Sequence, residues 1–189
     1  MISASHNPCE YNGIKIFKSD GYKLPDALEE EIEAIILDEA RVPPIKVGGE
    51  VGKVTRAQYA LSDYIGHIIS TTNLRFDGMK VALDCANGSA CVTAKELFTT
   101  LGAECHIVSA EPDGVNINDR CGSTHLEQLQ AYTVEQGCDI GLAFDGDADR
   151  LLVIDEKGGL IDGDKIIAIC ALDMKRRGQL AKDAAVVTV

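Results

Sequence analysis

Between residues 80 and 155 the chain alternates short apolar runs with amphipathic helical stretches, and few folds accept that pattern. The runs are KVALDC, ECHIV, CDIGLAF and LLVID. A helix near residues 90–101, closed by Gly102, separates the first two, and another, opened by Thr124 and ending near Gly137, precedes the third. Apolar runs of this length are strands buried on both faces, and strands separated by helices pair in parallel through crossovers. The expected fold is α/β, a three-layer αβα domain with a mixed, largely parallel sheet over residues 57–158. Partial neighbouring α/β domains are expected at 1–56 and 159–189, since 189 residues hold one full domain and part of another. Thr124 and Glu127 have capping-box spacing for the second helix.

Upstream, Asp26 and Glu29 also have capping-box spacing, and Leu28, Ile32, Ile35 and Ile36 recur at helical intervals before Pro43-Pro44. The stretch Val47-Gly48-Gly49-Glu50-Val51-Gly52 marks a domain boundary, and Leu61, Tyr64, Ile65, Ile68 and Ile69 form a second helical stripe. Both ends read as cut: the chain opens without a leading strand and closes on Ala184-Ala185-Val186-Val187-Thr188-Val189, an expected buried strand without a successor. Sheet edges exposed in this way could support homo-oligomerisation.

A net charge of −12 excludes nucleic acid and anionic membrane as partners, because both select clustered Lys and Arg. No apolar run approaches the roughly 18 residues of a membrane span, and no signal-peptide pattern opens the chain, so the expected compartment is the cytoplasm. Seven cysteines, odd in number and without a C-x-x-C pair, read as reduced and mostly core.

Two segments carry chemistry. Phe144-Asp145-Gly146-Asp147-Ala148-Asp149-Arg150 places three carboxylates at alternate positions between two buried strand runs. Three like charges so close repel unless a cation sits among them, and small residues at Gly146 and Ala148 let the loop fold toward one point. A calcium EF-hand also begins D-x-D-x-D and carries Glu at its twelfth position, here Glu156. Its sixth position requires Gly and is Arg150, and its flanks are helices, so Mg²⁺ is favoured. The second segment is Ser3-Ala4-Ser5-His6-Asn7-Pro8, followed by Tyr11-Asn12-Gly13-Ile14-Lys15. Asn-Pro and Asn-Gly place Ser5 and His6 on a turn, and without a G-x-S-x-G elbow this is not a Ser-His hydrolase. On residue chemistry alone it is a polar turn, catalytic or not.

SASHNP with NGIK downstream, then DGDADR about 130 residues later, resembles the phosphohexomutase superfamily. A third segment, Pro112-Asp113-Gly114-Val115-Asn116-Ile117-Asn118 with Cys121-Gly122-Ser123-Thr124-His125, is similar to the branch acting on glucosamine phosphate. The resemblance implies a mutase moving a phosphoryl group between C6 and C1 of a phosphosugar through a phosphoserine and a hexosamine bisphosphate. Phosphomannomutase or phosphoglucomutase activity, or a non-catalytic phosphosugar-binding module, is the alternative. By the same resemblance, Ser5 is the phosphorylated serine, and Asp145, Asp147 and Asp149, with Ser5 or its phosphate, hold Mg²⁺. Arg150 contacts the phosphoserine, and His6 and Lys15 serve proton transfer. Residues 1–56, 57–158 and 159–189 then correspond to the later part of a first domain, a whole second domain and the opening of a third. His125 reads as structural, and His67 and His106 as helix and strand residues.

Overall fold

The computed structural model describes residues 1–38 and 42–187. A two-stranded antiparallel sheet opens it, β1 (Ile2–Ser3) pairing with β2 (Gly13–Ile14), followed by helix α1 (Asp26–Leu37). After a stretch with little regular structure come α2 (Ala60–Ser70), β3 (Lys80–Asp84), α3 (Ala94–Thr100), β4 (Glu104–Val108), α4 (Glu127–Glu135), β5 (Ile140–Phe144), β6 (Leu151–Asp155), β7 (Leu160–Ile161) and α5 (Gly163–Arg176).

The five-stranded sheet has the order β4-β3-β5-β6-β7. Strand β3 pairs in parallel with β4 and β5, while β5–β6 and β6–β7 are antiparallel. Strand β7 thus lies just past the 158 boundary read from the sequence, in the same sheet. Both faces are covered, which is why these strands read as nearly continuous apolar runs. On one face Val81, Leu83, Leu142 and Val153 pack with Ala90, Ala94 and Ala103. On the other, Ala82, Ala143 and Ile154 pack with Leu129 and Cys138 around α4. Leu83, Leu129 and Ile154 are completely buried, each contributing roughly 1.5–3 kcal/mol. The result is the three-layer α/β domain that the alternation predicts.

Several local expectations are corrected. Asp26 is already helical and Pro25 occupies the N-cap position with extended backbone, so no side chain caps α1. Thr124 ends a 3₁₀ turn and Leu126 precedes α4, again without a side-chain cap. Helix α5 does have one, the Asp162 side chain accepting from the Lys165 N–H at 3.0 Å. Residues 184–187 form no strand and Val187 is exposed, while the last two residues of that expected strand lie outside the described residues. All seven cysteines are free, but Cys85, Cys121 and Cys138 alone are fully buried. Among the described residues no helix is long and apolar enough to cross a membrane.

Candidate functional site

The chain runs from β3 outward to β4, then crosses back to β5 on the other side of β3. In open α/β sheets such a reversal leaves a crevice at the carboxyl ends of the strands. Here the loop after β3 meets the acidic loop after β5: the Ser89 N–H donates to the Gly146 carbonyl at 2.9 Å, with Gly88 against Gly146. The acidic loop joins two antiparallel strands, not two helices, which is the flanking geometry that argues against an EF-hand.

In this loop Asp145, Asp147 and Asp149 bring one carboxylate oxygen each within 4.8 Å of one another. Asp145 is fully buried and accepts the Arg150 N–H at 3.2 Å. Burial, followed by the charges of Asp147 and Asp149, pushes its carboxyl above the ordinary value. Burial also acts to raise Asp147, but hydrogen bonds from Lys15 and Ser3, both 2.6 Å to its Oδ2, outweigh it and hold that carboxyl low. The hydrogen bond to Asp147 raises Lys15, whose Nζ also lies 3.9 Å from Asp149. Among the described residues, Asp147 Oδ1 is buried without a hydrogen-bond partner. An orphaned carboxylate oxygen among three converging hard oxygen donors fits a small divalent cation such as Mg²⁺.

The serine loop lies directly on this loop. Ser5 adopts a left-handed backbone (φ 52°), uncommon for a residue with a Cβ. Its carbonyl accepts the Gly146 N–H at 3.0 Å and the Asn118 side-chain amide at 2.8 Å. Its N–H donates to Ser3 Oγ at 2.9 Å, so Ser3 joins the serine loop to Asp147. Ser5 Oγ stands 3.5 Å from Asp145 Oδ2 and 3.5 Å from His6 Nδ1. A side chain on Gly146 would collide with the Ser5 carbonyl, which is why the second position of DGDADR is glycine.

Ser5, His6, Lys15, Asp145, Asp147 and Asp149 are therefore gathered at one place. Arg150 is positioned less directly: its guanidinium reaches Asp149 at 3.9 Å, and among the described contacts none joins it to Ser5. The site opens into a groove of about 810 Å³ between the β1–β2 hairpin and α1, with Lys15, Asp147 and Asp149 at its polar end and Ile14, Phe17, Ile32 and Ile36 among its apolar walls. His125 is exposed and contributes no ligand to the carboxylate cluster.

Three further residues hold the arrangement. Ser3 and Asn118 act as described. Asp84, buried at the end of β3, accepts the Ala86 N–H at 2.9 Å and the Gly122 N–H at 2.8 Å, tying the segment around Cys121 to the sheet. Its signal in the sequence was a carboxylate ending an otherwise apolar strand run.

Comparison with known proteins identifies the fold and the family. A family model described as phosphoglucomutase/phosphomannomutase, alpha/beta/alpha domain II, matches residues 62–159, and the corresponding domain I model matches residues 1–42. Phosphoglucosamine mutases from Acetivibrio thermocellus, Clostridium acetobutylicum and Clostridium botulinum are 52%, 54% and 53% identical across the whole chain, which spans 42% of their length. A phosphoglucomutase/phosphomannomutase family protein from Burkholderia thailandensis superposes with a TM-score of 0.72 at 28% identity, over 94% of this chain and 37% of that one. A Thermus thermophilus protein described as a putative phosphomannomutase shares the fold, with a TM-score of 0.73 at 21% identity over 94% of this chain and 41% of its own. The chain belongs to the phosphoglucomutase/phosphomannomutase family, the phosphohexomutases.

Proposed function

We propose that the chain carries the phosphoserine and metal loops of a Mg²⁺-dependent, cytoplasmic phosphoglucosamine mutase, interconverting glucosamine-6-phosphate and glucosamine-1-phosphate through a hexosamine bisphosphate. The observation that carries this reading is the docking of the serine loop on the carboxylate loop, with Ser5 Oγ 3.5 Å from Asp145. The names of the relatives favour glucosamine phosphate as the substrate.

Asp145, Asp147 and Asp149 would hold the cation, which when bound supplies neutralisation of the phosphate oxygens. Ser5 carries the phosphoryl group. A sugar hydroxyl gives its proton to His6, its oxygen bonds to phosphorus, and the bond from phosphorus to Ser5 Oγ breaks. Lys15, kept protonated beside Asp147, would return a proton to the leaving oxygen. Arg150 supplies positive charge at the rim. After the bisphosphate reorients, its other phosphate returns to Ser5, and no nucleotide is consumed. Residues 1–56, 57–158 and 159–189 remain our proposed division into parts of three domains. Neither the comparisons nor the geometry supports the self-association expected of the exposed, truncated sheet.

The test is the intact mass of the purified chain with and without phosphatase treatment, beside the Ser5→Ala variant. A phosphatase-sensitive increment of one phosphoryl group, absent from the variant, is expected. A phosphate on any other residue would sink the assignment.

A further inference from the structure

We infer that Asn118 is a positioning residue for this site, a clamp that holds the serine loop against the metal loop; the inference rests on the mutase reading for its functional meaning. One side-chain amide donates to two carbonyls of the serine turn, that of Ser5 and that of Asn7, both at 2.8 Å. The two acceptors lie more than 110 residues away in sequence, so the contact joins separate parts of the chain.

Three features show that the residue is built for this task. Asn118 is 6% exposed, so neither of its donated bonds is open to competition from bulk water. Its own backbone is left-handed (φ 58°), a conformation that Asn tolerates better than other residues with a side chain. Its N–H donates to the Ala86 carbonyl at 2.9 Å, anchoring the clamp to the loop after β3, which Asp84 also holds. Among uncharged side chains, only the amide group of Asn or Gln offers two donors on one planar nitrogen, and the longer Gln would overshoot carbonyls set at this distance. A carboxylate in the same place would present oxygen to oxygen. Loss of the amide frees the turn that carries Ser5 and leaves the three carboxylates where they are.

Amide hydrogen exchange on the 189-residue chain tests this, using Asn118→Gly, which keeps the left-handed backbone, and Asn118→Asp, which keeps the shape and removes the donors. In both variants the amides of Ser5, Asn7 and Gly146 should exchange about tenfold faster or more, the effect of two lost hydrogen bonds, while those of Leu83 and Leu142 in the sheet stay unchanged. Mg²⁺ affinity of Asn118→Gly, titrated with the metal alone, should change less than about threefold, since its carboxylates are untouched and no charge is added. Unchanged protection of the serine loop in Asn118→Asp overturns the inference, as does acceleration spread equally over the sheet. The mutase reading fails separately, by the absence of phosphate on Ser5 in the unmodified chain.

Discussion

Gly146→Ala is the substitution whose consequence follows most directly from the geometry. A Cβ at this position would stand 2.5 Å from the Ser5 carbonyl, 2.8 Å from Ile117 Cδ1 and 2.9 Å from Asn118 Nδ2, whereas ordinary contact begins at 3.4 Å. Ile117 can swing its terminal methyl away. The Ser5 carbonyl, 0.9 Å short of ordinary contact, can retreat only by giving up the Gly146 and Asn118 hydrogen bonds that hold it. Each such bond contributes about 1 kcal/mol net, so undocking the loop costs about 2 kcal/mol. Overpacking that left the loop in place would cost about 1–3 kcal/mol, so the two responses compete closely and the stability loss is about 2 kcal/mol by either route. The responses differ in where the protein moves. Urea unfolding reads the loss, and a structure of the variant shows whether Ser5 Oγ has left Asp145. A stability change below about 0.3 kcal/mol with the loop still docked would refute the close approach on which the argument depends, since a retained contact of this length must appear as strain.

Four further outcomes are expected. Mg²⁺ at one hundred times its dissociation constant should stabilise the chain by about 2.7 kcal/mol, and chelation should reverse this. Asp147→Asn should bind Mg²⁺ much more weakly, whereas equal affinity by calorimetric titration would remove the loop from consideration as a metal site. Asp84→Asn should cost about 1–3 kcal/mol, because an amide NH₂ would face one of the two N–H groups that the carboxylate now accepts. Burial raises the Asp84 carboxyl above its ordinary value, so its stability contribution is present at low pH and lost as pH rises through the folded value. Urea unfolding of the unmodified chain against pH should therefore show this contribution declining from acid toward neutrality. Finally, the 189-residue chain alone should show no turnover of glucosamine-6-phosphate in a coupled assay with Mg²⁺ and a trace of bisphosphate. It spans 42% of its relatives' length, and correct positioning of substrate accounts for about 7–11 kcal/mol of a barrier.

The part of the fold that depends on local pattern was legible in the sequence. KVALDC, CDIGLAF and LLVID became β3, β5 and β6 because burial on both faces favours a nearly continuous apolar run, while ECHIV became the edge strand β4, with Glu104 exposed and its other positions half-buried. The carboxylate loop was legible for a similar reason, since like charges at alternate positions between two such strands call for a cation. The capping boxes misled because spacing alone does not define a cap. The capping residue must be extended and stand outside the helix, and Asp26 stands inside it with Pro25 in the capping place. The run at residues 184–187 misled because a strand needs a partner, and apolar composition does not provide one.

What sequence could not show is how the two loops meet, and the reason is physical. Ser5, Ala86, Asn87, Ser109, Asn118, Arg120 and Ala148 all have positive φ without being glycine, and several of them lie in the loops that surround the carboxylates. Backbone of this kind persists only where surrounding contacts over-determine it, and those contacts are made largely to carbonyl oxygens. Ser5 is held by its carbonyl, through Gly146 and Asn118, and Gly146 is held by its own, through Ser89. Every residue carries a carbonyl, so no residue type marks the acceptor. Only the donors differ, and Asn118 is a donor side chain inside a segment already singled out by its resemblance. Its role appears only once the serine loop is seen lying within 2.8 Å of it, because a clamp is defined by what it holds.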